Sequence, residues 1–248
     1  MQRRMLEHTL MLIVSLFTAT GCRAADRIVE AGVTYDTYVA EAAEIDLFWA
    51  DRNGTPLRQF RTVQSVLSAH SRRVAFMMNG GIYEPGGIPS GLLMIDGKVV
   101  HPLNTSDGKG NFYLKPNGVF YVDSTGAHIL PTDAFKSANI APRIAIQSGP
   151  LLLSMNKIHP SFRAESTNYL HRNGVGVRKD GKVLFAITEF GQPRYPNLYE
   201  FAAFFRSRGC ADALFLDGDL SHMVIDPKGP IPPGNHFGAI FAISKPAP

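Results

Sequence analysis

A strand-rich single α+β domain, with a mixed sheet partly covered by about three helices, is the fold class this sequence predicts. Three observations carry it. Short apolar runs recur and are joined by Asp-Gly and Asn-Gly pairs, the signature of β-hairpins. Two stretches of helical spacing each lead into a wholly apolar run, so helices cover part of the sheet. Beyond the leader, about 220 residues suffice for one substantial core, and no Ser/Gly-rich or Pro-rich linker divides them.

The chain opens on a targeting pattern. Arg3 and Arg4 form a basic start, and residues 10–19 are an apolar run too short to span a bilayer, which fits a secretory signal over residues 1–25. Ala19-Thr20-Gly21-Cys22 also resembles a lipoprotein box, so a lipid anchor at Cys22 stays open beside a soluble exported form cleaved after Ala25. The domain is then residues 26–248, exported to the periplasm or cell envelope, with no later run apolar enough for a membrane span. Without the leader the formal charge falls from +4 to +2, and no basic stripe remains, which gives no basis for a nucleic-acid partner. Cys210 is then the one cysteine left, so no internal disulfide forms, and it reads as a core thiol.

The elements follow in order. Residues 33–40 and 45–50 are apolar-rich, with a turn at 51–54. Leu57, Phe60, Val63, Gln64 and Leu67 sketch a helix, residues 74–78 a buried strand, and Asn79-Gly80-Gly81 a turn behind it. So much Gly and Pro at 82–91 rules out a helix. Hairpins are expected at 92–100 around Asp96-Gly97, at 112–122 around Pro116-Asn117-Gly118, and at 175–187 around Asp180-Gly181, with 127–130 continuing the second. Residues 143–146 form a buried strand closed by Gln147-Ser148-Gly149-Pro150. Asn197 and Glu200 make a capping box for a helix carrying Leu198, Phe201, Ala202 and Phe205, and Gly209 stops it. The buried run 213–216 then breaks into Asp217-Gly218-Asp219-Leu220-Ser221-His222, and residues 237–243 form the last strand.

Polar residues collect at these strand ends: Asn79, Gln147, Arg172 with Asn173, Glu189, and Asp217 with Asp219. Ligands gather where buried strands end, and glycines let backbone approach them. Singly, each residue also has a plain reading as a turn former, a surface cation or a backbone partner. Phosphate-loop, dinucleotide, EF-hand and His-Glu-x-x-His motifs are absent, and the histidines follow no zinc spacing. No cofactor is expected; a divalent cation at Asp217 and Asp219 stays open.

Six motifs in order give a resemblance. They are Asn79-Gly80-Gly81-Ile82-Tyr83, Gly91-Leu92, residues 111–120, residues 147–152, residues 172–177 and Leu216-Asp217-Gly218-Asp219. Over residues 35–243 the chain resembles the phosphodiester glycosidases, the family that includes the eukaryotic uncovering enzyme. It departs from the family pattern at Asn173-Gly174, where Thr-Ala is frequent, and at Asp219, where a glycine is frequent.

The resemblance implies a hydrolase that breaks the C1–O bond of a sugar-1-phosphodiester, an N-acetylglucosamine cap being one example. Such a site needs a cation on the phosphate and a carboxylate near the anomeric carbon. Arg172 offers the cation, Asp217 the carboxylate, and Glu189 a second carboxylate. Asn79, Gly80, Gly81, Gln147, Gly218 and Asp219 would bind substrate, with His222 or His101 beside the departing phosphate. Two other classes stay open: a cation-dependent phosphodiesterase that breaks P–O, and a non-catalytic envelope protein that binds glycans or sugar phosphates.

Overall fold

The computed structural model describes residues 24–247; residues 1–23, with Cys22 and most of the leader, lie outside them. Among the described residues, three helices and three principal sheets are present, in keeping with the strand-rich α+β class. A seven-stranded sheet runs Ala25–Glu30, Val33–Ala40, Val183–Thr188, Asn173–Arg178, Cys210–Asp217, Leu151–Ser154 and Lys157–Ile158. A five-stranded sheet runs Gly126–Pro131, Gly118–Asp123, Ile144–Ser148, Leu93–Ile95 and Lys98–His101. A four-stranded sheet runs Met223–Ile225, Arg72–Gly80, Ala239–Pro246 and Asp46–Phe48.

The expected mixed sheet is corrected to antiparallel sheets: among the described residues, every strand pairing is antiparallel. The reason is local. Val183–Thr188, helix α3 (Leu198–Ser207) and Cys210–Asp217 follow one another as a crossover would, but the hairpin partner Asn173–Arg178 sits between the two strands and pairs antiparallel with both. The hairpin at Asp96-Gly97 forms as expected. Both residues take positive φ, 50° and 73°, as the twist of a two-residue hairpin turn demands.

The hairpin expected at 112–122 does not form. Asn111–Tyr113 is a 3₁₀ turn, and Asn117 is 3 % exposed rather than at a turn tip. Its Nδ2 donates to the Phe112 carbonyl at 2.8 Å and its Oδ1 accepts from Thr132 Oγ1 at 2.8 Å, so it locks two segments together. The strands Ala25–Glu30, Leu151–Ser154 and Met223–Ile225 were not anticipated from the pattern.

The core lies where the three sheets face one another. Phe76 and Phe241 of the four-stranded sheet meet Phe185 of the seven-stranded sheet at 4.8 and 5.1 Å between ring centroids, and Phe120 of the five-stranded sheet meets Phe241 at 5.6 Å. Helix α1 (Phe60–Ala69) covers the outer face of the four-stranded sheet through Val63 and Leu67 against Met77 and Ile240. Helix α2 (Thr132–Ser137) sits against the five-stranded sheet, where Phe135 packs on Tyr121 at 5.4 Å. Helix α3 covers the seven-stranded sheet; its capping box is present, and Phe201, Phe204 and Phe205 are fully buried. Gly174 and Gly176 beneath it matter, because a Cβ at either would crowd Phe205 at 3.2 and 2.7 Å. Cys210 is buried against this helix, where burial pushes its thiol pKa up to about 12.

Candidate active site

Strand ends from different sheets converge on one carboxylate. Asp217 ends the buried strand Cys210–Asp217, and its pairing with Asn173 follows a register shift that leaves Leu216 as an extra residue. Bulges of this kind re-aim a side chain at the end of a strand. Ser148, from the five-stranded sheet, donates to the Leu216 carbonyl at 3.1 Å and pins the bulge.

Asn79 is the hub. It lies within the strand Arg72–Gly80 rather than in a turn behind it, and it is 1 % exposed. Its Nδ2 donates to Asp217 Oδ2 at 2.8 Å. Its Oδ1 accepts from the His222 N–H at 2.8 Å and from Asn173 Nδ2 at 3.2 Å, which fixes the orientation of the amide. Asn173 Nδ2 also reaches the Asn79 carbonyl at 2.9 Å. The other carboxylate oxygen, Asp217 Oδ1, accepts from the Gly218 N–H at 2.8 Å. Burial pushes the Asp217 pKa up to about 6; the hydrogen bonds from Gly218 and Asn79 resist that rise, and the charge of Asp219 adds to it.

A second buried layer supports the loop that follows. His171 takes Nδ1 to Thr188 Oγ1 at 2.8 Å and Nε2 to the Ser221 carbonyl at 3.1 Å. The neutral ring with its proton on Nε2 satisfies both, and burial pulls its pKa down. Arg172 is 1 % exposed. Its Nε donates to the Pro196 carbonyl at 3.1 Å, its Nη2 to the Asn168 carbonyl at 2.8 Å, and its guanidinium lies 5.8 Å from the centre of the Phe215 ring. Burial pulls its pKa down to about 10, with Asp219 opposing, so it stays a cation at neutral pH.

The residues singled out in the sequence therefore divide. Asn79, Asp217, Gly218 and His222 are joined by direct hydrogen bonds, and Asp219 lies within electrostatic reach of Asp217, Arg172 and His171. Glu189 lies at the same end of the seven-stranded sheet but bonds Arg27 of its edge strand. Gln147 is occupied internally: Oε1 accepts from the N–H groups of Leu92 and Asn104 at 3.0 and 2.9 Å, and Nε2 donates to the Asn104 carbonyl at 2.6 Å. Gly80 and Gly81 serve close packing, since a Cβ there would meet Phe241 at 2.4 Å and Ile146 at 2.8 Å. His101 is bonded to the Gly91 carbonyl at 2.9 Å. Asn173, His171, Thr188 and Ser148 complete the frame without having been assigned roles; their adjacency to Arg172, Glu189 and Gln147 was the available signal.

Beside this cluster His222 lines a cavity of about 310 Å³ with Phe60, Val224, Ile231 and Phe237. Its lining sets two phenylalanine rings and aliphatic side chains beside the polar groups of His222 and Asn235. Among the described residues no group of three or more His, Cys, Asp or Glu is assembled to hold a metal ion. Among them, too, no helix is long and apolar enough to cross a membrane.

The family model for phosphodiester glycosidases (NAGPA) matches residues 72–236, which contain Asn79, Arg172 and Asp217. The chain belongs to the phosphodiester glycosidase family. Among relatives of this chain, the uncharacterized protein YigE of Escherichia coli (strain K12) is 31% identical over 205 residues, covering 82% of this chain and 78% of YigE. The catalytic domain of zebrafish N-acetylglucosamine-1-phosphodiester alpha-N-acetylglucosaminidase shares its fold with a TM-score of 0.62 at 17% identity, over 88% of this chain and 81% of that one. A hypothetical protein from Synechocystis shares it with a TM-score of 0.53 at 12% identity, over 89% of this chain and 61% of that one.

Proposed function

We propose that this phosphodiester glycosidase hydrolyses the C1–O bond of a sugar-1-phosphodiester outside the cytoplasm, releasing free sugar and a phosphomonoester. The Asp217 carboxylate carries the reading: it is held by Asn79 and Gly218 and its pKa is pushed up to about 6 by burial, and the same Asn79 fixes the backbone of His222, whose side chain lines a cavity. At neutral pH it is ionised yet more basic than a solvated aspartate. It acts as the base for water or as the nucleophile at C1. In the first form, the water oxygen bonds to C1, its proton passes to Asp217, and the C1–O electron pair leaves with the phosphate. Phosphate is a good leaving group, so little acid assistance is needed.

Arg172 supplies fixed positive charge beneath the site, with two of its nitrogens anchored on carbonyls. Glu189 is turned to Arg27, which favours Asp217 over it as the carboxylate of the reaction. The zebrafish protein's name makes N-acetylglucosamine the first sugar to try. The basic start and apolar run of residues 1–25 support export, with Cys22 as a lipid anchor in one form.

The test is incubation with an α-N-acetylglucosaminyl-1-phosphodiester in ¹⁸O-labelled water, with and without chelator, beside Asp217→Asn. Label in the free sugar, insensitive to chelator and lost in the variant, is the expected result. Label in the phosphate would overturn the assignment in favour of a phosphodiesterase. Binding without turnover would favour a glycan-binding protein.

A further inference from the structure

Arg58 is held in an unusual state that the catalytic frame does not use. It is half-buried, and its guanidinium makes no hydrogen bond or ion pair among the described residues. Arg206 shares that lack of partners but is exposed on α3. Arg58 Nε is sealed from solvent without a partner, which leaves the two terminal nitrogens as the open end of the fork. Buried polar atoms are rarely left unpaired, and those that are call for an explanation.

The backbone is unusual at the same residue. Arg58 has φ of 57°, and the Gln59 N–H donates to the Leu57 carbonyl at 2.7 Å, closing a three-residue turn with Arg58 at its centre. Such turns are strained for any residue but glycine and persist where the surroundings over-determine them. Here they do. The Leu57 N–H is bound to the Trp49 carbonyl at 2.8 Å, and the Arg58 carbonyl accepts from the Phe237 N–H at 2.7 Å.

The turn aims the side chain at the loop following Asn79-Gly80-Gly81. A Cβ on Gly87 would stand 3.1 Å from Arg58 Nε, and Gly87 itself has φ of 82°. Tyr83, four residues earlier, bonds the His236 carbonyl. Burial pushes the Tyr83 pKa up, Asp217 adds to that rise and Arg58 opposes it, so both charges act on the one phenol. Tyr83 and Arg58 thus meet on one segment, since Tyr83 bonds the His236 carbonyl and the next residue, Phe237, donates its N–H to the Arg58 carbonyl.

We propose that Arg58 binds the phosphate group of the ligand, taking non-bridging phosphate oxygens on its terminal nitrogens beside Tyr83. The assignment rests on the sugar-phosphodiester reading above. It places the accessible phosphate contact on a residue upstream of the family match at 72–236, while Arg172 stays buried on carbonyls. A planar fork with free donors is suited to a phosphate, and a lysine would not reproduce it.

The experiment is calorimetric titration of the wild-type protein, R58G and R58K with phenyl phosphate, together with thermal melts and KM for the diester. R58G is chosen because glycine adopts positive φ without strain, so the variant folds and melts no lower than wild type. The expected result is phenyl phosphate affinity lower by about tenfold or more in R58G, partial recovery in R58K, and a matching rise in KM with little change in kcat. Affinity and KM unchanged in a folded R58G would overturn the proposal, as would a wild-type protein that binds no phenyl phosphate. Phosphate binding lost in R58G, beside a wild-type protein that cleaves no diester, would keep the Arg58 site and sink the glycosidase reading instead.

Discussion

Asn79 Nδ2 donates to Asp217 Oδ2 across 2.8 Å, and this bond joins the end of one sheet to the end of another. The same Asn79 side chain accepts the N–H of His222, so it sets both the carboxylate and the loop that returns from it. In Asn79→Ala the donor that restrains the Asp217 pKa is gone. The acid limb of kcat/KM is expected to move to higher pH, and the plateau to fall by about 10²-fold or more as the carboxylate loses its orientation. A pH–rate profile of the variant decides; an unmoved acid limb would count against Asn79 as the group that tunes Asp217.

Asp217 also links stability to pH. Its folded pKa of about 6 lies above the ordinary 3.8, so the folded state binds a proton more tightly than the unfolded chain. The sign follows: ionisation lowers stability as pH rises from about 4 to about 6, and the loss is complete above that window. Asp217→Asn removes the penalty. The variant should be inactive yet more stable than wild type at pH 8, by on the order of 2 kcal/mol, with the difference gone at pH 4. Melts of both proteins across that range test this, and a constant offset would refute the linkage.

Arg172 is a cation built into the protein rather than a surface contact. Replacing it by alanine strands the carbonyls of Pro196 and Asn168 and empties the space over Phe215. The expected loss is about 3 kcal/mol, and Arg172→Lys should recover less than half of it, because an ammonium cannot serve two divergent carbonyls with one planar group. Denaturant unfolding measures it. Full stability in Arg172→Ala would mean that the residue acts on ligand alone.

Gln147 is expected to matter through the loop it holds. Gln147→Leu removes the acceptor for the Leu92 and Asn104 amides and the donor to the Asn104 carbonyl. Hydrogen exchange at those two amides should accelerate by about tenfold or more while exchange at the His222 amide stays protected. Equal acceleration at both places would show a global loss of stability instead.

Much of this was legible from residue order. The capping box at Asn197 and Glu200, the hairpin at Asp96-Gly97 and the abrupt change after Leu216 each rest on local chemistry, and local chemistry prevails there. The Asn117-Gly118 pair shows where it does not. Asn117 is drawn inward to serve the Phe112 carbonyl and Thr132, and Gly118 runs straight into a strand where a Cβ would meet Leu151 at 2.6 Å. The hydroxyl of Ser148 and the ring of His171 were invisible as members of the site for the same reason: their partners come from other sheets and loops. Polar residues stand out at the strand ends, but sequence does not distinguish Gln147, which serves backbone, from Asn79, which serves a carboxylate.

The meeting of Asn79 and Asp217 has a consequence for how the molecule acquires its chemistry. A partly folded chain with only the seven-stranded sheet in place would carry Asp217 without the amide from the neighbouring sheet and without the walls that desolvate it. Its carboxylate would titrate as an ordinary solvated aspartate. The raised basicity of Asp217 therefore exists only once the neighbouring sheet has docked, and the titration of a single oxygen pair becomes a gauge of whether the sheets have come together.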